Sequence, residues 1–138
     1  MAAGGDGVNG EQEQVLFTIG PFGTAVCKGP YGVFKWQKNN ITRVELTPTR
    51  VLGRKKRSFF IFGNSSPGGP VVFDIPYAGI RLLRRYDHPA RLGVMDVLEF
   101  SYDAGAGEQV LSVAAYKGPV AQALEVLRRY LPAELVQA

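Results

Sequence analysis

At 138 residues, 46% of them apolar, the chain is long enough to bury one core without help from disulfides or a metal. Its single cysteine, Cys27, rules out an internal disulfide, and no apolar run approaches the roughly 20 residues that span a bilayer. The expected protein is therefore soluble and cytoplasmic, with peripheral attachment to a membrane left open.

The net charge of +4 is unevenly spread, with three acidic and no basic residues in 1–14, nine Lys or Arg against one Glu in 28–57, and seven basic against eight acidic residues in 58–138. One concentrated positive stretch is a footprint for an anionic partner, whether lipid headgroup, nucleic acid or acidic protein surface. Residues 1–14 are rich in glycine and lack periodicity, so a disordered leader is expected there. Without basic residues or an apolar segment, it reads as neither a signal nor a transit peptide.

Folding is expected from Val15. Val15–Ile19 and Thr24–Lys28 are β-prone runs separated by Gly20-Pro21-Phe22-Gly23, a turn of the kind that joins hairpin strands. Gly29-Pro30-Tyr31-Gly32 breaks the chain before Val33-Phe34-Lys35-Trp36, which fits a strand or an irregular loop. After the Asn39-Asn40 turn, Arg43–Thr47 alternates polar and apolar residues as a strand with one wet face does. Pro48 belongs at an edge, bulge or turn. Val51–Gly53 resumes a strand, Arg54-Lys55-Lys56-Arg57 suits a solvated connection, and Phe59–Phe62 is an apolar run that needs cover on both faces. Gly63–Pro70 is long for a hairpin loop.

Val71–Ile75 is the next strand, stopped by Pro76, and Tyr77–Leu83 resumes the alternation. Arg84–Leu92 reads as a charged connection holding the only histidine, His88. Val94–Phe100 and Val110–Ala115 are strands joined around the Gly-rich turn Asp103–Gly107. The period then changes. Val120, Ala123, Leu124, Leu127, Tyr130 and Leu131 recur at helical spacing, with Pro119 suited to the first helical position, Arg128 and Arg129 favouring the last turn, and Pro132 as a stop. Residues 132–138 are expected as a short C-terminal tail.

Several short antiparallel strands followed by one amphipathic helix is the order of a pleckstrin-homology (PH)-like domain. Leu46-Thr47-Pro48-Thr49-Arg50-Val51 resembles the signature of GRAM and related bacterial PH-like domains. Asp74-Ile75-Pro76-Tyr77-Ala78-Gly79-Ile80 resembles the element that follows it there. The resemblance covers residues 15–131 as one domain. It implies a mostly β fold, an antiparallel β-barrel or two packed sheets capped by the C-terminal α-helix, and a lipid- or protein-binding module without catalysis.

The candidate binding residues for an anionic partner are Arg54, Lys55, Lys56 and Arg57, with Lys35, Lys38 and Arg50 nearby. The expected partners are anionic lipid or protein, with strand addition and homo-oligomer formation as the alternative. A nucleic-acid binder ranks third, because Tyr31, Phe34 and Trp36 lie among Lys28, Lys35 and Lys38 and could stack on bases. One histidine and one cysteine do not assemble a catalytic or metal constellation, so no enzyme activity, cofactor or metal is expected. His88 reads as a loop residue and Cys27 as a small buried hydrophobe.

Overall fold

The computed structural model describes residues 13–31, 40–55 and 69–138. Its elements in chain order are β1 (Phe17–Ile19), β2 (Ala25–Lys28), β3 (Thr42–Leu46), β4 (Arg50–Lys55), β5 (Val71–Pro76), β6 (Ile80–Asp87), β7 (Met95–Asp103), β8 (Glu108–Tyr116), α1 (Lys117–Tyr130) and β9 (Val136–Gln137). They form a five-stranded sheet in the order β9-β6-β7-β8-β2 and a four-stranded sheet in the order β1-β3-β4-β5. The fold is mostly β with one C-terminal helix. Among the described residues no ladder joins the sheets, so the β-barrel alternative gives way to two separate sheets.

The expected hairpin at Gly20–Gly23 is not a hairpin. β1 pairs with β3 and β2 pairs with β8, so the turn carries the chain from one sheet to the other. Gly20 and Gly23 sit at φ +82° and +66°, where side chains are strained, and any side chain on Gly23 would run into the Tyr116 ring. The chain returns to the four-stranded sheet for β3, and its last crossing, Pro76 to Ile80, passes through a single 3-10 turn at Tyr77–Gly79.

The sheets share a core because their strands alternate as pleating requires. Leu46, Val51 and Ile75 form one cross-strand row of the four-stranded sheet. In the next row Gly53 lies between Val44 and Phe73, and the Phe73 ring fills the space a Cβ at Gly53 would take. These rows face Leu83, Leu98, Phe100, Leu111 and Val113 of the five-stranded sheet in one buried cluster, closed by Val120, Ala123, Leu124 and Leu127 of α1. Pro119 is the third helical residue, not the first. It is tolerated there because the first four N–H groups of a helix have no intrahelical partner.

Two further expectations change. The stretch Arg84–Leu92 is not a connection throughout, because β6 runs on to Asp87 and pairs there with Asp96. The chain beyond Leu131 includes a 3-10 turn and β9, which lies parallel to β6 with Val136 opposite Leu83. The apolar run Phe59–Phe62, most of the leader and most of the loop at Gly63–Pro70 lie outside the described residues.

The outer face of the five-stranded sheet carries a second, smaller cluster. Ala25, Cys27, Met95, Val97 and Ala114 are covered there by Tyr31. Gly29 holds that cover in place, its N–H donating to Val110 O and its carbonyl accepting from Ser112 Oγ at 2.7 Å.

Candidate functional site

The seven basic candidates do not converge among the described residues. Lys35, Lys38, Lys56 and Arg57 lie outside them. Arg50 opens β4 and Lys55 closes it, so about 16 Å of extended strand separates the two. Arg50 pairs with Asp74 at 2.9 Å and lies 3.8 Å from Glu13. Arg54 belongs to β4 and not to a solvated loop: it is buried, bonds Glu45 at 3.2 Å, and donates to the Gly69 carbonyl. The same carboxylate takes Arg43 on its other oxygen at 2.8 Å. Charge that looks available in the sequence is therefore neutralised along the outer face of this sheet, leaving Lys55 exposed at its end.

The two stretches that carry the family resemblance meet in space. Thr47 Oγ1 accepts the Thr49 and Arg50 N–H groups, which makes Leu46–Arg50 a side-chain-closed turn between β3 and β4. Tyr77 closes it from the other stretch, its N–H donating to Thr49 O and its hydroxyl to Thr47 O at 2.6 Å. The Tyr77 ring stacks on Tyr130 at the end of α1, 5.5 Å between centroids. This geometry is structural and joins the two sheets to the helix at one end.

The opposite end has a different surface. There the β1–β2 crossing lies beside Thr42, whose strand partner is Lys55, and Gly23 packs on Tyr116 at the end of β8. Tyr116 pairs with Met95, and Lys117 N–H donates to Val94 O, which brings the β6–β7 turn to the same place. Phe22 on the crossing is 76% exposed and Leu92 on the turn 69% exposed. Val94 and Tyr116 lie beside them, and Ile41, Val71 and Val72 sit at the starts of β3 and β5. Seven of the nine exposed large apolar side chains among the described residues thus occupy one end; Val15 and Tyr130 occupy the other. Sequence reasoning missed this because each residue sits alone in its own turn or strand start, and only strand register gathers them.

Beneath that end lies a charged network. Asp96, with 3% of its side chain exposed, bonds Lys117 Nζ at 2.6 Å and Arg85 Nε at 2.8 Å, and Lys117 also reaches Asp87 at 2.7 Å. Burial alone pushes the Asp96 carboxyl up, but the bonds from Lys117 and Arg85 outweigh it and hold it below the ordinary carboxylate range. The two carboxylates in turn raise the Lys117 ammonium. Both shifts, of Asp96 and of Lys117, favour the charged form, which suits a structural tie and not proton transfer.

His88 is buried, not a loop residue in solvent, with 1% of its surface exposed. Its Nδ1 accepts the Ala90 and Arg91 N–H groups at 3.0 and 3.1 Å, and its Nε2 lies 2.9 Å from Tyr31 Oη. Two donors at Nδ1 require a lone pair there, so the proton sits on Nε2 and points at the tyrosine. Burial, and then the nearby Arg91, lower its pKa. Tyr31 is itself 5% exposed, which removes it from any base-stacking role. Cys27 is buried, and burial pushes its thiol up, away from a nucleophile's range.

Among the described residues no three His, Cys, Asp or Glu side chains are grouped to hold a metal ion. A depression of about 300 Å³ between Arg81, Asp103, Gly107 and Glu108 is open and polar, with Arg81 already tied to Asp103 at 3.3 Å. No described helix is long and apolar enough to cross a membrane. No protein-family model, curated protein or solved structure matches the chain.

Proposed function

We propose that the chain is a non-enzymatic binding module of the PH/GRAM-like kind, and that it docks its Phe22 end on an anionic membrane surface. The observation that carries this reading is the gathering of exposed apolar side chains at one end, beside Lys55 and Arg91. Phe22 and Leu92 stand exposed on turns, where a bilayer interface can take them up without unfolding a strand. Soluble proteins seldom expose a contiguous apolar patch without a partner for it. The cations flanking it suit acidic headgroups, each adding roughly 1 kcal/mol near such a surface.

Sedimentation with phosphatidylcholine vesicles containing increasing phosphatidylserine tests this. Binding is expected to rise with anionic lipid and fall with salt. Replacing Phe22 and Leu92 together by Asp removes about 3 kcal/mol of apolar burial, a loss of about a hundredfold in affinity, with folding unchanged. No binding at low salt, or a double variant that binds like the parent, overturns the reading.

A second reading has its own observation. β5 is an edge of the four-stranded sheet, and among the described residues nothing pairs with its outer side. Val71 and Val72 are exposed along it. Strand addition by a protein partner or a second copy uses such an edge. Sedimentation equilibrium separates the self-association version: a strict monomer at high concentration removes it.

A further inference from the structure

The Phe22 end contains a group whose hydrogen bonds cannot survive protonation. In the turn after β6, the His88 ring does what a capping side chain does: its Nδ1 lone pair ties down the Ala90 and Arg91 N–H groups, and the Arg91 carbonyl then accepts from Val94 and Met95. On the other side of the ring, Nε2–H reaches Tyr31 Oη. Burial chiefly, with Cys27 and Tyr86 adding, keeps the Tyr31 phenol well above its ordinary range, so it remains a neutral hydroxyl. One imidazole therefore fixes both the turn presenting Leu92 and Val94 and the tyrosine covering the second apolar cluster.

A proton from solvent has one place to go, Nδ1. It would face two N–H hydrogens across 3.0 and 3.1 Å, turning two attractive bonds into two repulsions. Two features of the described surroundings disfavour His88⁺ directly, burial and a neighbouring cation. Arg91 on the same turn is a like charge that lowers its pKa, after burial. Asp87, its chain neighbour, is held by Lys117, which with Asp96 and Arg85 completes the nearby charged network of α1, β7 and β6. Tyr31, which meets the ring from the segment after β2, and Tyr86, which packs on the same apolar cluster as Tyr31, are neutral phenols, both raised chiefly by burial.

We propose that His88 is a proton-operated latch on the docking end: protonated, it leaves its pocket, frees the 88–94 turn and Tyr31, and adds a positive charge beside Leu92. Its consequence for membranes rests on the docking reading above; the latch does not. Acidification then strengthens attachment to anionic lipid, because the freed turn reaches deeper and one more cation faces the headgroups.

The sign for stability is fixed by the direction of the shift. Above the ordinary value of 6.5 the folded and unfolded chains both carry a neutral imidazole. As pH falls below it the unfolded chain takes a proton that the closed latch refuses. Stability drops until the folded pKa is passed, then levels.

The experiment has two arms. In the first, NMR of the full chain without lipid follows the imidazole nitrogens and the Ala90 and Arg91 amides. At about pH 7.5 the Nε2–H form and slowed amide exchange are expected; at about pH 5 imidazolium and loss of that protection are expected. Retention of both amide protections after His88 has become imidazolium overturns the latch. In the second, vesicles containing phosphatidylserine are titrated at both pH values. The parent is expected to bind about fivefold tighter at the lower pH, the factor supplied by one added surface charge. A folded His88→Gln variant, which cannot titrate, should show no such gain. An equal gain in that variant overturns the latch as the source of the pH response. Absence of lipid binding at either pH overturns the docking reading and the membrane consequence together, while the NMR arm still decides the latch.

Discussion

The two ends of this pair of sheets are built from the same strands and finished in opposite ways. At the Tyr77 end, polar groups are used on the protein itself: Thr47 closes its own turn, Tyr77 bonds two carbonyls of that turn, and Asp103 accepts the Gly105 N–H at 2.8 Å. At the Phe22 end the backbone is equally well tied, by Asn40 to Gly23 and by His88 to its turn, yet Phe22, Leu92, Val94 and Tyr116 point outward. Folding gains little from exposed apolar groups. The difference teaches that bonding alone accounts for one end, and that the other leaves apolar side chains in solvent, which is what the proposed docking would use.

That contrast can be broken from its middle. Glu45 lies between the ends on the outer face of the four-stranded sheet and neutralises Arg43 and Arg54. Glu45→Ala leaves Arg54 buried and unpaired, at a cost of about 3 kcal/mol in urea unfolding. It also uncovers positive charge on the side of Lys55. If the Phe22 end meets anionic lipid, vesicle binding by this less stable variant holds or rises; a loss of binding at temperatures where it is folded would count against the assignment of ends.

A smaller effect sharpens the same point. Lys55 is exposed where β4 reaches the Phe22 end, and Arg50, at the other end of the strand, is paired with Asp74. Lys55→Glu, a change of two charge units, should weaken vesicle binding about 30-fold at low salt, an effect that shrinks as salt is added. Arg50→Glu, a charge change of the same size at the Tyr77 end, should leave binding within about twofold. Equal losses from both would mean that net charge, and not its placement, governs the interaction.

Much of the architecture was legible in the residues, and the reason is local. The strand pattern from Arg43 to Val51, the turn at Asp103–Gly107 and the helix ending before Pro132 each depend on near neighbours, and each stands close to its expected place. The candidate surface was not legible, because it is made by register. Phe22, Leu92 and Tyr116 are isolated apolar residues in the sequence and become one end only once β1 has crossed between sheets and Met95 lies opposite Tyr116. Arg54 misled for the same reason: it follows the strand pattern directly, and its partner Glu45 is supplied by the neighbouring strand. His88 looked solvated because the group that covers it, Tyr31, lies 57 residues earlier.

The smallest effect asks whether the Tyr77 end is as purely structural as its bonding suggests. Tyr77→Phe keeps the ring, and with it the stack on Tyr130, but deletes the hydroxyl that donates to the Thr47 carbonyl at 2.6 Å. A buried hydrogen bond of this kind contributes about 1 kcal/mol, or a fall of about 3 °C in Tm for a domain of this size. The variant should lose that stability and nothing else, binding vesicles as the parent does once folded. Because Tyr77 sits in the stretch that carries the family resemblance, this outcome would assign that stretch to the joining of two sheets and a helix. A selective loss of lipid binding from Tyr77→Phe would instead place the working surface at this end, and the contrast between the ends would have to be reversed.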